Sequence, residues 1–363
     1  MRKILAESLA YLILISTPVL AGNWWENIKL KGDLRYRHEM IDNEGSDARH
    51  RHRIRARLRI YGNANDYTNI GIQLATGSDN PVSTNRTLDD GFSTKSVNLD
   101  MAYLEISPKW EPNMKLTAGK FKNLFYKPGG SELLWDSDLN PEGGLADYTV
   151  NTRFYTFTLI GAGLWIEERS SDKDSWIAAG QAIFRYHIDE KKTDVAFGGS
   201  RFNYINAKGF EPFFDSAEPM GNTIDANGLY LSDYELLELF VEGNHKFDKI
   251  PVTAMFDYVT NTAGHSFNIG WLMGIHVNKT EDPGSWAFRY IYREVEKDAV
   301  VGVFTDSDFR GGGTDAKGHE IGGSYQLANN STLNLTYFIN QIGLELNDKE
   351  DFRRLQVDLQ LKF

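Results

Sequence analysis

The residues best suited to chemistry are arginines placed at every second position of one short segment. They are Arg51, Arg53, Arg55, Arg57 and Arg59, and Arg35 and Arg37 repeat the spacing just before them. Of the four positions between the five, three are apolar, Ile54, Ala56 and Leu58, and the first is His52. Alternate residues of a β-strand share a face, so this pattern predicts a strand with a ladder of guanidinium groups on one side. Such a ladder binds carboxylates and phosphate-like oxyanions.

An acidic counterpart lies in a later linker, whose carboxylates are Glu132, Asp136, Asp138 and Glu142. The same linker carries Leu133, Leu134 and Trp135, which are too apolar to stand in solvent. We therefore expect it to fold inward and to bring its acids opposite the arginines. Two simpler interpretations remain open: the linker packs on its neighbours at the surface, and the arginines are an ordinary polar lining.

The acidic linker also imitates part of a calcium-binding loop. Asp136, Asp138 and Asn140 stand at alternate positions, as the first ligands of such a loop do. Pro141 stands where the sharp turn needs glycine, and Asp147 replaces the bidentate glutamate. These three residues are thus a weak calcium candidate, and otherwise the sequence predicts no metal and no cofactor.

Catalytic motifs are weak in this chain. It contains no Gly-x-Ser-x-Gly elbow, no His-Glu-x-x-His pair and no cysteine. Its eight histidines are scattered, and a serine placed near His276 by the fold is the one nucleophile arrangement left open. The sequence therefore predicts a protein that is not an enzyme, with a barrel enzyme as a remote alternative.

The segments that must position these residues alternate apolar and polar side chains with a period of two. In the last segment Leu355, Val357 and Leu359 share one face, while Arg354 and Gln356 share the other. About sixteen such segments occur. Short polar turns between them alternate with long linkers at 77–96, 122–142, 206–231 and 296–318. This predicts an all-β fold, a transmembrane antiparallel β-barrel of about sixteen strands, with the acidic linker as an inward-folded constriction loop.

The first residues have the pattern of a cleaved signal peptide, with Arg2 and Lys3 before an apolar stretch that ends at Ala21. We predict a signal peptide at 1–21 and one barrel domain at 22–363. The formal charge of −11 argues against nucleic acid as a partner. The longest later apolar stretch, 154–166, contains two threonines and two glycines and is too short and polar for a membrane-spanning helix.

Several short stretches carry a family resemblance: residues 53–58, 74–78, 102–104, 119–123 and 134–143. Together they resemble the putative porin family of Gram-negative outer membranes, and the stretch 134–143 is the most specific of them. The resemblance covers nearly the whole chain after residue 21. It implies a β-barrel channel in the outer membrane of a Gram-negative bacterium, which assembles as a homotrimer as general porins often do.

The sequence thus predicts a water-filled outer-membrane porin for passive diffusion of small hydrophilic solutes and ions. Its partners would be outer-membrane lipid and those solutes. In this interpretation the arginines line one wall of the pore, and fixed charge at the constriction sets ion selectivity. The alternative is an anion-selective channel, of the phosphate type, in which the arginine ladder binds the solute.

Overall fold

A computed structural model describes residues 27–189, 192–345 and 349–363. The predicted signal peptide, residues 1–21, lies outside the described residues. Among those described, no helix is long and apolar enough to cross a membrane. Short 3₁₀ turns occur within two of the long linkers, at Pro128–Gly130, Gly302–Phe304 and Phe309–Gly311.

Nearly all regular structure in the described part of the chain is β-strand. The strands are β1 Ile28–Asn43, β2 Arg49–Asn65, β3 Thr68–Thr76, β4 Arg86–Thr87, β5 Val97–Ile106, β6 Met114–Lys120, β7 Glu142–Asn151, β8 Tyr155–Glu167, β9 Ser175–Asp189, β10 Thr193–Ile205, β11 Glu235–Phe247, β12 Ile250–Asn261, β13 Ile269–Asn278, β14 Trp286–Val295, β15 Ala316–Ala328, β16 Ser331–Ile342 and β17 Glu350–Lys362. Apart from the two-residue β4, each corresponds to one predicted segment.

The sheet closes on itself between the first and last strands. Arg35 of β1 lies opposite Arg55 of β2 on one side and opposite Gln360 of β17 on the other. The short β4 pairs only with Arg53 and Ile54 of β2, and β3 pairs directly with β5. The other sixteen strands form an antiparallel ring, so the predicted sixteen-stranded barrel is confirmed. Closure leaves no unpaired edge strand in this ring. A sheet in lipid must be closed in this way, because lipid cannot hydrogen-bond to exposed backbone groups.

The two faces of the strands meet different surroundings, as the alternation predicts. On β16, for example, Leu333, Leu335 and Ile339 are exposed on the outside, whereas Phe338 and Asn340 are buried inside. Outward apolar side chains with inward polar ones are typical of a barrel wall that faces lipid on one side and water on the other.

The four longest connections all lie at one end of the barrel, which we call the long-loop end. They span 77–96, 121–141, 206–234 and 296–315 and agree closely with the predicted linkers. In an antiparallel ring every second connection lies at the same end, and these four follow β3, β6, β10 and β14. Two of them matter most for function. We call residues 121–141 the inner loop and residues 296–315 the β14–β15 loop.

Candidate functional site

The predicted arginines project from the inner face of β1 and β2. Arg37 and Arg55 are almost fully buried, and Arg35, Arg51, Arg53, Arg57 and Arg59 are partly buried. Their neighbours on the opposite face, such as Leu34 and Leu58, are exposed on the outside of the ring. The period-two alternation alone positions them, because a strand turns successive side chains to opposite faces.

Carboxylates on the strands themselves neutralise much of this arginine charge. Asp33 accepts hydrogen bonds from Arg55 Nη2 at 3.0 Å and from Arg57 Nε at 2.8 Å. Glu39 is fully buried and pairs with both Arg51 and Arg354. Buried charges are tolerated only when paired and hydrogen-bonded, and these are. The sequence analysis did not single out Asp33, Glu39 or Arg354, although each shares the polar face of its strand.

The inner loop leaves the wall between two glycines and runs across the interior. Gly119 and Gly143 lie opposite each other with φ of 118° and 149°, and a Cβ at either would collide with a backbone carbonyl of the adjacent strand. Beyond them the loop bonds to three separate wall strands. Tyr126 N donates to Gln181 on β9 at 2.6 Å, Gly129 N to Glu242 on β11 at 2.6 Å, and Ser131 Oγ to Asp257 on β12 at 2.7 Å.

Apolar side chains hold the middle of the inner loop in place. Leu133, Leu134 and Trp135 are at most 4% exposed. The Trp135 ring packs edge-on against Phe202 of β10 and stacks with Phe304 of the β14–β15 loop. The three apolar residues therefore fold inward, as expected from their composition. They join the inner loop to a core that lies inside the barrel rather than between two sheets.

One of the four predicted acids of the inner loop reaches the arginine ladder. Asp138 Oδ1 lies 3.2 Å from Arg57 Nη1 and 3.6 Å from Arg55 Nη1. Its other oxygen accepts a hydrogen bond of 3.0 Å from the Thr84 hydroxyl. The pKa of Asp138 is lowered: burial opposes ionisation, but the charges of Arg55 and Arg57 outweigh it. Asp138 therefore stays ionised against the basic wall.

The other three predicted acids do not meet the arginines. Asp136 accepts backbone hydrogen bonds from Ser307 at 2.8 Å and from Asp138 at 2.7 Å. Glu132 accepts one from Ser137 N at 2.7 Å. Glu142 is the first residue of β7, and its carboxylate pairs with Lys120 at 2.9 Å. Glu132 and Asp136 thus hold the inner loop together, and Glu142 lies outside that loop.

Glu132 and Asp136 titrate unusually because they are buried and, in addition, lie close to further acids. Burial raises the pKa of Glu132 to about 7, and the nearby charge of Asp306 adds to the effect. Burial likewise raises the pKa of Asp136 well above its ordinary value, with the charge of Glu132 as the next cause. These two carboxyls lie where the inner loop meets the β14–β15 loop. Protonation of the carboxyls removes their charge and so favours close packing of the two loops.

A residue that the sequence analysis missed, Asp308 of the β14–β15 loop, holds the central position. Its Oδ1 lies 2.9 Å from Arg354 Nη2 and its Oδ2 3.2 Å from Arg37 Nη1. Burial opposes ionisation of Asp308, but Arg354 and Arg37 lower its pKa strongly. Nothing local in the sequence marks this residue, because its partners lie on the first and last strands.

Asp308 also lies between two water-accessible cavities. One, of about 630 Å³, faces the long-loop end, and among its lining residues are Arg49, Arg51, Arg53, Arg310 and Arg354. The other, of about 570 Å³, faces the turn end and is lined in part by Arg35, Arg37, Arg289 and Arg293. Asp308 lines both. We call these two cavities the vestibules and the place where they share Asp308 the passage; the Asp308 carboxylate there is flanked by the guanidinium groups of Arg37 and Arg354.

The three residues of the weak calcium candidate do not converge on a common point. Asp138 pairs with arginines, Asp136 accepts backbone N–H groups, and the Asn140 amide donates to Asp100 at 3.0 Å. Within the described ranges no group of three or more histidines and acids is arranged to hold a metal ion.

Comparison with known protein families agrees with the barrel fold. The sequence profile of the family described as "Putative porin" matches residues 39–229 and 220–363, which together cover most of the chain. The chain belongs to this porin family. The resemblance stated from the sequence is thus confirmed, and this porin is a channel protein of the bacterial outer membrane.

Three solved structures share the fold at low sequence identity. OmpF of Salmonella typhi, solved in complex with daunomycin, is 13% identical, with a TM-score of 0.56 over 93% of this chain and 97% of that one. OprB of Pseudomonas putida gives a TM-score of 0.61 at 9% identity, over 93% of this chain and 94% of that one. A loop-deletion mutant of Vibrio cholerae OmpT is 12% identical, with a TM-score of 0.52 over 93% of this chain and all of that one. Among curated proteins, none matches this porin in sequence.

Proposed function

We propose that this porin is a general diffusion channel of a Gram-negative outer membrane, exported by the signal peptide at 1–21 and assembled as a homotrimer. It would pass small hydrophilic solutes and ions without turnover, cofactor or metal. The observation that carries the proposal is the position of Asp308, which lines both vestibules and whose carboxylate contacts Arg37 and Arg354.

The charges at this passage act on solutes through a transverse field. Carboxylates of the inner loop and the β14–β15 loop contact guanidinium groups of β1, β2 and β17 directly, so charges of opposite sign lie beside each other along the proposed path. Such a field orients dipolar solutes and favours them over apolar ones, which lose their hydration without gaining polar contacts. Because the polar groups are fixed by pairing, they need not reorganise as a solute passes.

A second candidate function is selectivity for anions, including phosphate. The observation in its favour is the excess of base over acid in the cavity at the long-loop end, where five arginines but only Asp47 and Asp308 are among the described lining residues. In addition, Arg35 and Arg53 each have a buried Nε without a hydrogen-bond partner in the described part of the chain. The N–H groups at these nitrogens are donors of the kind that bind an oxyanion.

Single-channel conductance of the refolded protein in a planar bilayer distinguishes the two functions. A KCl gradient gives the sign of selectivity through the reversal potential, and phosphate is then titrated into the bath. Large steps that phosphate leaves unchanged support a general channel. Small chloride steps blocked by low phosphate support the anion-selective channel, and a folded barrel that conducts nothing contradicts both.

A further inference from the structure

The barrel wall has a notch at the long-loop end, between β5 and β8. β5 extends to Val97 and β8 to Glu167, but β6 ends at Lys120 and β7 begins only at Glu142. Pairing between β5 and β6 begins at Ala102 opposite Lys120, so no described strand covers residues 97–101 on that side. The chain that would have filled this place turns inward as the inner loop. The notch is therefore two strands wide.

A third cavity, of about 470 Å³, lies behind the notch and shares Asn80 and Ser83 with the vestibule at the long-loop end. Its apolar lining includes Trp135 and Leu139 of the inner loop, Leu164 of β8 and Ile177 of β9. All four are at most 5% exposed. The volume and the largely apolar wall are those of a site for a small organic ligand.

The entrance to this cavity has apolar sides and a charged lower edge. Leu99 and Trp165 point outward on the two sides of the notch and are 57% and 65% exposed. Below them, Lys120 Nζ lies 2.9 Å from Glu142 Oε1. A molecule that approaches along the outer face of the barrel thus meets apolar surface first and charges at one margin, an arrangement suited to an amphiphile.

A residue that lines this cavity carries a buried donor that lacks a partner. Trp135 is 4% exposed, and its indole Nε1 has no hydrogen-bond partner among the described residues. Buried N–H groups are almost always hydrogen-bonded, because leaving one unpaired costs about 1–3 kcal/mol. A ligand with an acceptor on its apolar part would remove that cost.

The charges that line the cavity favour a cation. Asp79, Asp100, Glu142 and Glu167 contribute carboxylates, whereas Lys120 is the one basic residue among the described lining residues. Lys120 is already engaged by Glu142 and by the Asn140 carbonyl at 3.0 Å, and Glu167 pairs with Arg169. Asp79 and Asp100 are therefore the lining carboxylates without an ion pair among the described residues. We propose that this cavity binds a cationic amphiphile that enters through the notch. Such a molecule combines a positive charge with an apolar ring body that carries a hydrogen-bond acceptor. The site does not depend on conduction through the vestibules.

Tetracaine is a suitable probe, because it has an aromatic body, an ester acceptor and a cationic amine. The matched control ligand is 4-(butylamino)benzoate, which keeps the aromatic body and carries an anion instead. Both are measured by equilibrium dialysis against the full protein refolded into lipid nanodiscs, with protein-free nanodiscs subtracted. We expect one saturable tetracaine per chain at pH 7 and at least tenfold weaker binding of the anion.

Two variants locate the bound molecule. Leu164→Trp fills the cavity and should abolish saturable binding. Trp135→Phe keeps an aromatic ring but removes the N–H donor with the five-membered ring, and loss of the hydrogen bond alone should weaken binding roughly two- to tenfold. Trp110→Phe, an exposed residue in the turn after β5, is the control and should bind as the wild type does.

Several results would overturn the proposal. Wild-type affinity in both Leu164→Trp and Trp135→Phe would place the probe elsewhere, and equal affinity for the anion would refute the charge argument. Saturable binding to isolated chains but none to the assembled oligomer would assign the notch to a second copy of this chain. Trp135→Phe only shortens an aromatic side chain, so the test remains decisive even if Leu164→Trp fails to fold.

Discussion

Arg37 on the first strand and Asp358 on the last are joined by a bidentate ion pair across the seam where the barrel closes. Arg37 Nε donates to Asp358 Oδ1 at 2.6 Å and Arg37 Nη2 to Asp358 Oδ2 at 2.8 Å. The third nitrogen, Nη1, donates to Asp308 at 3.2 Å. One guanidinium group therefore fastens the seam and positions the central carboxylate of the passage, which couples barrel closure to the candidate site.

The seam pair should contribute strongly to stability. Asp358→Asn leaves the buried Arg37 with only one of its two carboxylate partners, Asp308. Breaking such a buried pair costs about 3–5 kcal/mol of the free energy of unfolding. Urea unfolding of the refolded barrel in lipid vesicles measures the change. The matched control is Glu235→Gln, which breaks an exposed pair with Arg201 and should cost less than about 1 kcal/mol. Equal losses in both variants would contradict the role of the seam.

The two sides of the passage should shift ion selectivity in opposite directions. Arg53→Ala should favour cations and Asp308→Asn should favour anions, because each removes one fixed charge beside the path. A unit charge about 8 Å away in water changes the energy of an ion by about 0.5 kcal/mol, hence a permeability ratio by about twofold. Reversal potentials in a KCl gradient measure this. Arg201→Ala, an exposed residue outside the lumen, is the control, and shifts of the same sign would refute the opposed arrangement.

Asp138 of the inner loop and Glu142 of β7 should differ in their effect on selectivity. Asp138→Asn removes the charge that contacts Arg55 and Arg57, so reversal potentials should move toward anions. Glu142→Gln should leave them unchanged, because this carboxylate pairs with Lys120 on the outer side of the wall. A shift in Glu142→Gln as large as that in Asp138→Asn would mean that Glu142 reaches the passage.

The contact between the two inward loops should weaken as pH rises. Burial and the charge of Asp306 raise the pKa of Glu132 to about 7, from an ordinary 4.5. The folded protein therefore binds a proton that the unfolded chain releases between these values, so the free energy of unfolding falls as pH rises through this window. Thermal unfolding midpoints at pH 5, 6, 7 and 8 measure the decline.

Glu132→Gln should flatten this decline but not abolish it, since burial also raises the pKa of Asp136. Glu142→Gln is the control and should keep the wild-type slope. An unchanged slope in Glu132→Gln would show that Glu132 does not carry the titration.

The apolar anchor of the inner loop should determine whether that loop stays docked. Trp135→Ala deletes a buried indole that packs on Phe202 and Phe304, and such truncations cost about 3–5 kcal/mol. We expect larger and noisier conductance steps, because the loop would no longer narrow the lumen. Trp110→Ala, an exposed residue, should conduct as the wild type does. Steps of normal size in Trp135→Ala would mean that the hydrogen bonds to Gln181, Glu242 and Asp257 suffice.

The sequence by itself determined the strands, their number and the face on which each arginine lies. These properties follow from local alternation, since a strand turns successive side chains to opposite sides whatever its neighbours are. The same reasoning predicted that Leu133, Leu134 and Trp135 would be buried, because apolar side chains in a long linker need cover. Neither inference requires knowledge of which distant segments meet.

The tertiary structure decided which charges meet. Asp308 reaches Arg37 and Arg354 only because the β14–β15 loop folds over the seam between β1 and β17, and those partners are far apart in sequence. Glu142 was wrongly grouped with the loop acids for a geometric reason: β7 begins at that residue, and its position in the strand turns the side chain outward to Lys120. Ion pairing acts over a few ångströms, so it depends on the closed barrel and on the paths of its loops.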